Sequence, residues 1–356
     1  MRATTERTLV DEAKRDVGGP AQPLLLVRDL RKHFAVKGRG LQKSLPVRAV
    51  DGISFAVAKG ETLGVVGESG CGKSTMARLL IRLIEPDEGD VILDGRKVGA
   101  EDGISVRAMR SLVQMVFQDS YASLNPRLPI EESVAFGAIS DGVPRKDAMA
   151  RAISLLDKVG LDARLFVHRY PHELSGGQRQ RVNIARALAL EPRLLILDEA
   201  VSALDKSVEA QVMNLLADLK SQFDLTYVFI SHDLNVVRFI SDKVMVMYLG
   251  EIVEIGDADS VYETPQHPYT QALLLAQPAM DPSERRKKAP LTGDPPNPIA
   301  PPPGCRFHTR CVFAEGVCSK TPPMLAAVSA GGVFHQAACH MLVPGSGHSQ
   351  ARPAAA

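Results

Sequence analysis

The chain has 356 residues, 45% of them apolar, enough for one large domain with an appendage or for two domains. Its 42 Lys and Arg nearly cancel its 41 Asp and Glu, so the formal charge of +1 creates no global field for nucleic acid or an anionic membrane. It has no Trp and few aromatics, which argues against stacking platforms for single strands, and no apolar run approaches the roughly 20 residues that cross a bilayer.

Residues 1–22 read as a flexible tail that ends on a Gly-Gly-Pro turn signal. They are polar and charged, without the apolar stretch of a secretory signal, so the chain is expected to stay in the cytoplasm and reach a membrane only through a partner. Residues 24–27 suit a strand. Beyond Phe34, the basic segment 37–43 reads as a solvated hairpin tip. Residues 62–66 have a buried-strand pattern, and 74–84 repeat apolar residues at helical spacing. Strands are predicted at 91–93, closed by the Asp94-Gly95 turn signal, and at 113–117. Residues 131–190 are mostly helical by pattern, with a break at Tyr170-Pro171. A strand at 194–197, a helix at 208–219, a strand at 227–230 and a hairpin around Gly250 follow. Strands alternating with helices predict an α/β fold with parallel strands, and the long helical stretch predicts an inserted helical subdomain. Residues 281–303 change character, with a charged run at 284–288 and then a Pro-rich linker from Pro290 to Pro303. A small module with four cysteines follows, and residues 346–356 read as a disordered tail.

The segment Gly67-Glu68-Ser69-Gly70-Cys71-Gly72-Lys73-Ser74-Thr75 contains the P-loop pattern G-x-x-x-x-G-K-[ST], placed between a predicted strand and a predicted helix. Its glycines let successive backbone N–H groups turn inward as an anion nest, and the helix start adds its positive dipole end. Lys73 is expected to reach the β- and γ-phosphates, and Ser74 to offer its hydroxyl to Mg²⁺. Cys71 reads as a small residue that fits the loop, although Lys73 beside it would favour a lowered thiol pKa. The apolar strand before Asp198 and Glu199 ends on two carboxylates, as a metal site at the edge of an open sheet does. Asp198 is assigned to Mg²⁺ and Glu199 to the attacking water. Gln118 and His232 each follow an apolar strand and are expected at the same edge, Gln118 near Mg²⁺ or the water and His232 near the γ-phosphate.

The segment Leu174-Ser175-Gly176-Gly177-Gln178 resembles the signature that separates ABC ATPases from other P-loop proteins. A Ser and two glycines at a helix start make a second anion site. The resemblance spans about residues 24–265 and implies a head-to-tail dimer, with each ATP held between the loop of one subunit and the signature at Ser175 of the other. It implies that Phe34 stacks on adenine, that Gln118 is the Q-loop, that Asp205 in Ser202-Ala203-Leu204-Asp205 makes dimer contacts, and that His232 is the switch histidine. One departure is Ala200, where the family usually has Pro, a change expected to loosen the turn and leave both acids in place.

The stretches from Phe117 to Pro126 and from Val201 to Asp205, with His267-Pro268-Tyr269-Thr270, resemble the ATPase subunits of bacterial oligopeptide, dipeptide and nickel importers. That implies an ATP-hydrolysing importer subunit, with peptides as cargo or, alternatively, nickel or another small solute. A soluble ABC ATPase outside transport is the other reading. Implied partners are a paralogous ATPase subunit, two integral membrane permease subunits and a separate substrate-binding protein, with no nucleic acid. The implied location is peripheral, on the cytoplasmic side of the inner membrane. Cys305, Cys311, Cys318 and Cys339 have spacings C-x5-C, C-x6-C and C-x20-C, unlike short zinc knuckles. Spacing alone leaves an iron–sulfur cluster, zinc or unligated thiols open, with His308, His335 and His340 as substitutes. Some members of the group bind a [4Fe–4S] cluster in this extension, which favours the cluster over zinc. The expected organisation is a nucleotide-binding domain over 23–265, with its helical subdomain over about 119–190, and a C-terminal extension over 266–345.

Overall fold

The computed structural model describes residues 19, 22–36, 45–276, 296–328 and 333–352. The basic segment 37–43, nearly all of the tail 1–22, the charged run 284–288 and the first half of the Pro-rich linker lie outside the described residues.

The strands are β1 (Leu25–Val36), β2 (Leu45–Val57), β3 (Thr62–Val66), β4 (Glu88–Leu93), β5 (Arg96–Lys97), β6 (Val113–Val116), β7 (Leu194–Asp198), β8 (Thr226–Ile230), β9 (Lys243–Tyr248), β10 (Glu251–Asp257), β11 (Ala326–Ala327) and β12 (His335–Ala337). They form two sheets. The larger runs β11-β12-β10-β9-β3-β8-β7-β6, and β9, β3, β8, β7 and β6 are mutually parallel. The smaller, β2-β1-β4-β5, is antiparallel. This is an α/β fold with five parallel central strands and a separate antiparallel β part, as the alternation of strands and helices predicted.

The central strands are apolar on both faces because both faces are covered. In β7, Leu194 and Ile196 enter the core shared with the antiparallel sheet, while Leu195 and Leu197 face the helical side. In β8 the same alternation sends Val228 and Ile230 one way and Tyr227 and Phe229 the other. The turn signal at Asp94-Gly95 closes the β4–β5 hairpin with positive φ at both residues, 46° and 77°. The buried Asp94 carboxylate is met by Lys59 at 3.1 Å and Arg193 at 2.8 Å.

The helical region comprises Ile130–Ser140, Arg145–Lys158, Ala163–Phe166 and Gly176–Leu188. The expected break at Tyr170-Pro171 is a 3-10 turn, Pro171–Glu173, where proline cannot continue a helix. The helix expected at 208–219 runs over Lys206–Phe223, because Asp205 caps its start and Asp224, left-handed at φ 50°, ends it.

The C-terminal extension packs onto the large sheet. β12 pairs with β10, so the edge of the large sheet is satisfied by a strand from the extension. The expectation of disorder from residue 346 is overturned for 346–352. His348 is buried with its ring on the Phe313 carbonyl at 2.8 Å, Ser349 binds Glu315, and Arg352 reaches the Val328 carbonyl and Gln266. Short polar residues conceal order when their partners are distant in sequence.

Candidate active site

In a parallel sheet every strand delivers its following residues to the same edge. Register makes this concrete: Val116 lies opposite Leu197, and Ile230 lies opposite both Asp198 and Val65. The phosphate loop after β3, Gln118 after β6, Asp198 at the end of β7 and His232 after β8 are therefore neighbours.

The loop between β3 and the helix Lys73–Leu80 turns through Gly67, Gly70 and Gly72, with φ of 149°, 80° and 111°. A Cβ on Gly67 would stand 2.2 Å from the Met247 carbonyl oxygen, and one on Gly72 would stand 2.1 Å from that of Ala49, so neither position admits a side chain. Lys73 is buried, and its Nζ donates to the carbonyls of Gly67 at 2.6 Å and Glu68 at 3.1 Å. Its Nζ also lies 3.7 Å from the Cys71 thiol. Burial nevertheless raises the Cys71 pKa, outweighing Lys73, so this thiol is not activated.

Ser74 donates from its hydroxyl to Asp198 Oδ1 at 3.0 Å, joining the loop to the end of β7. Burial raises the Asp198 pKa despite that hydrogen bond. A hydroxyl and a carboxylate, both hard oxygen donors, fit Mg²⁺. Next to them Glu199 has left-handed backbone at φ 49°. Its N–H donates to the Ile230 carbonyl at 2.9 Å, and Ser202 closes the turn through its hydroxyl onto the Glu199 carbonyl at 2.9 Å. These two bonds fix the turn at which Ala200 stands. Gln118 donates from Nε2 to Glu199 Oε2 at 3.0 Å, and His232 Nδ1 stands 3.4 Å from the same oxygen. Gln118 is thus turned to Glu199 rather than to the Ser74–Asp198 pair.

Ser175 caps the helix Gly176–Leu188 in a capping box with Gln178: Gln178 N donates to the Ser175 hydroxyl, and Ser175 N donates to Gln178 Oε1. Ser175 and Gly176 are exposed. Gly177 packs on the helix Lys206–Phe223, where a Cβ would lie 2.4 Å from Val208 Cγ1. The Asp205 carboxylate accepts from Val208 N at 3.0 Å and Ser207 Oγ at 2.8 Å, so within this subunit it is a helix cap. Phe34 lies on β1 opposite Val47, 37% exposed, with the Lys32 ammonium over its ring 5.7 Å from the centroid.

Sequence reasoning missed a set of residues behind the loop. Glu68 N donates to the buried Tyr269 hydroxyl at 2.9 Å, and Arg310 grips the Glu68 carboxylate with two bonds of 2.7 and 3.0 Å. The His267-Pro268-Tyr269-Thr270 segment was the available signal for Tyr269. Nothing local marks Arg310.

Cys305, Cys311, Cys318 and Cys339 line one pocket with His308 and His340. Burial, aided by the other thiols, pushes Cys305 up to about 12 and Cys339 up to about 11. Two of the suggested substitute histidines already bind elsewhere, His335 to Glu254 at 2.7 Å and His340 to the Thr321 carbonyl at 2.8 Å. Among the described residues no three His, Cys, Asp or Glu side chains are grouped to hold a single metal ion. What the fold provides is a thiol-lined pocket. No helix among the described residues is long and apolar enough to cross a membrane.

A family model for ABC transporters matches residues 50–202, and one for the oligopeptide/dipeptide transporter C-terminal region matches residues 253–318. The chain is 48% identical over 323 residues to a probable peptide ABC transporter ATP-binding protein of Sinorhizobium fredii, covering 90% of each. It is 47% identical over 308 residues to the dipeptide transport ATP-binding protein DppF of Escherichia coli, covering 85% of this chain and 91% of that protein. It is 46% identical over 325 residues to the oligopeptide transport ATP-binding protein AppF of Bacillus subtilis, covering 90% and 98%. Among solved structures it resembles cbiO1 of Clostridium perfringens, part of the transporter complex cbiONQ, with a TM-score of 0.58 and 27% identity over 68% of this chain and 91% of that one. It also resembles the ATP-binding cassette MJ0796, described as a dimer in a post-hydrolysis state bound to ADP and Pi, with a TM-score of 0.56 and 29% identity over 66% and 98%.

Proposed function

Because the chain belongs to the ABC transporter ATP-binding proteins of the oligopeptide/dipeptide type, we propose how its residues serve as the ATP-hydrolysing subunit of a peptide importer. The observation that carries the reading is the meeting of Ser74 with Asp198 beside a Glu199 carboxylate approached by both Gln118 and His232. Loop N–H groups and Lys73 neutralise the β- and γ-phosphates, with Glu68, Ser69 and Thr75 among the residues around them. Ser74 and Asp198 hold Mg²⁺, which supplies charge neutralisation on the phosphates. Glu199 accepts a proton from the attacking water, Gln118 orients that carboxylate, and His232 approaches the γ-phosphate. Phe34 stacks on adenine.

A single chain has two phosphate-binding elements, the loop at 67–75 and the helix start at Ser175. In our reading Ser175, Gly176, Gly177 and Gln178 complete the site of a second ATPase subunit, and Asp205 lies at that contact. What supports this is the exposure of Ser175 and Gly176 at an open helix N-terminus. The second subunit is a paralogue, and the pair drives two membrane permease subunits fed by a separate binding protein, from the cytoplasmic side of the inner membrane. ATP supplies contacts to both halves, and loss of the γ-phosphate releases them. The matched relatives named for peptides favour peptide cargo over nickel. Residues 23–265 form the nucleotide-binding domain and 266–345 the extension.

For the cysteine pocket we retain the iron–sulfur cluster, supported by four thiols lining one cavity. Iron, zinc and sulfide content of anaerobically purified protein, with its visible absorption, tests this; metal-free protein with full activity would refute it. The functional reading is tested by peptide uptake and ATP hydrolysis in proteoliposomes carrying the assembled complex. Uptake that stops when Lys73 is replaced by Ala supports it, and uptake that continues refutes it.

A further inference from the structure

The cysteine-bearing extension touches the phosphate loop from behind at two points. Arg310, its side chain only 5% exposed, holds the Glu68 carboxylate through both terminal nitrogens. Tyr269 accepts the Glu68 N–H at 2.9 Å. Glu68 is not a bystander in the loop: its carbonyl accepts from Lys73 Nζ at 3.1 Å and from Cys71 N at 3.2 Å. On the other flank Arg306 binds the Leu249 carbonyl and Asp51, and reaches Glu251 at 2.9 Å. The next residue, Gly250, donates to the Cys71 carbonyl at 2.8 Å. Both arginines belong to the turn that carries Cys305 and Cys311. Cys305 N donates to the Cys318 carbonyl at 2.8 Å, His308 N to Cys305 at 3.0 Å and Arg310 N to Phe307 at 3.0 Å. Phe307 between them packs on Tyr248 and Tyr269, with ring centroids 5.4 and 5.3 Å away.

We propose that Arg310 is a positioning residue of the phosphate loop, and that through it the cysteine-lined module is coupled to ATP binding. A bidentate arginine–carboxylate pair fixes direction as well as distance. It holds Glu68 where the adjoining N–H groups and the Lys73 ammonium face the phosphates. The fold of the turn between Cys305 and Cys311 sets where the guanidinium sits, so a change at the thiols reaches the nucleotide site. Coupling of this kind is reciprocal, and bound ATP in turn steadies the module. The inference rests on the reading that residues 67–75 bind ATP.

The test measures ATP affinity and turnover in the assembled complex for the wild type, R310M, R310K, E68Q, E68Q/R310M, C305S and C305S/R310M. R310M is expected to raise the Kd for ATP about tenfold with kcat nearly retained, and R310K to restore part of it. E68Q breaks the same pair from the loop side and keeps the test open if R310M fails to assemble. The double variant E68Q/R310M should be no worse than the weaker-binding single one, and C305S should weaken ATP binding but add little to R310M. Unchanged affinity in R310M and E68Q, or full additivity of either pair, overturns the proposal. Absence of ATP binding by the wild type would instead refute the assignment of the phosphate loop.

Discussion

Replacing Glu199 by Gln separates binding from chemistry. The amide has the shape of the carboxylate and tolerates the same left-handed backbone, whose cost of about 1–3 kcal/mol is already met by the bonds to Ile230 and from Ser202. The phosphate loop and the Ser74–Asp198 bond are untouched, so ATP affinity stays near that of the wild type. What disappears is the group that takes the proton from water. A positioned base contributes about 10²–10⁴-fold, so phosphate release by the assembled complex is expected to fall by about that factor, or roughly 3–5 kcal/mol of barrier. The assay pairs nucleotide binding with single-turnover phosphate release. Turnover within about tenfold of the wild type would refute the assignment of the base to Glu199.

Gly67→Ala forces a Cβ to within 2.2 Å of a backbone carbonyl at a φ of 149°, and is expected to abolish ATP binding while lowering the melting temperature. Gly177→Ala meets Val208 at 2.4 Å and should cost about 1–3 kcal/mol in denaturant unfolding, recovered in part by adding V208A. Burial lowers His267 from 6.5 to about 4, against the pull of Glu254. Between those values the unfolded chain binds the proton and the native one does not, so stability falls as pH drops below about 6.5. The loss at pH 5 relative to pH 8 is roughly 2 kcal/mol. H267N, which keeps a capping acceptor for Tyr269 N, should flatten that part of a melting-temperature profile.

Local pattern carried most of the nucleotide site. Gly67, Lys73, Asp198 and Ser175 belong to short segments in which residue type, spacing and the change from strand to helix agree, so their chemistry is visible before any fold is known. Gln118 and His232 were legible because a parallel sheet sends strand ends to one edge. The antiparallel sheet was less visible. β2 pairs with β1 across bulges that break strict alternation, and no simple periodicity marks it. Least visible was the return of the C-terminal extension onto the loop. Arg310 and Glu68 are 242 residues apart, and Tyr269 meets Glu68 across 201. Such contacts depend on how β12 adds to β10, which no single segment encodes. The packing of His348 against Phe313 hid for the same reason, in a stretch whose composition resembles a loose tail.

A nucleotide gripped by two subunits at once is tested most directly by cryo-electron microscopy of the assembled transporter with ATP bound to the E199Q variant. Ser175 Oγ is predicted to stand at hydrogen-bond distance, about 3 Å, from the γ-phosphate held by the P-loop of the other ATPase subunit. A map in which ATP occupies the P-loop while Ser175 faces solvent, far from any triphosphate, would contradict it.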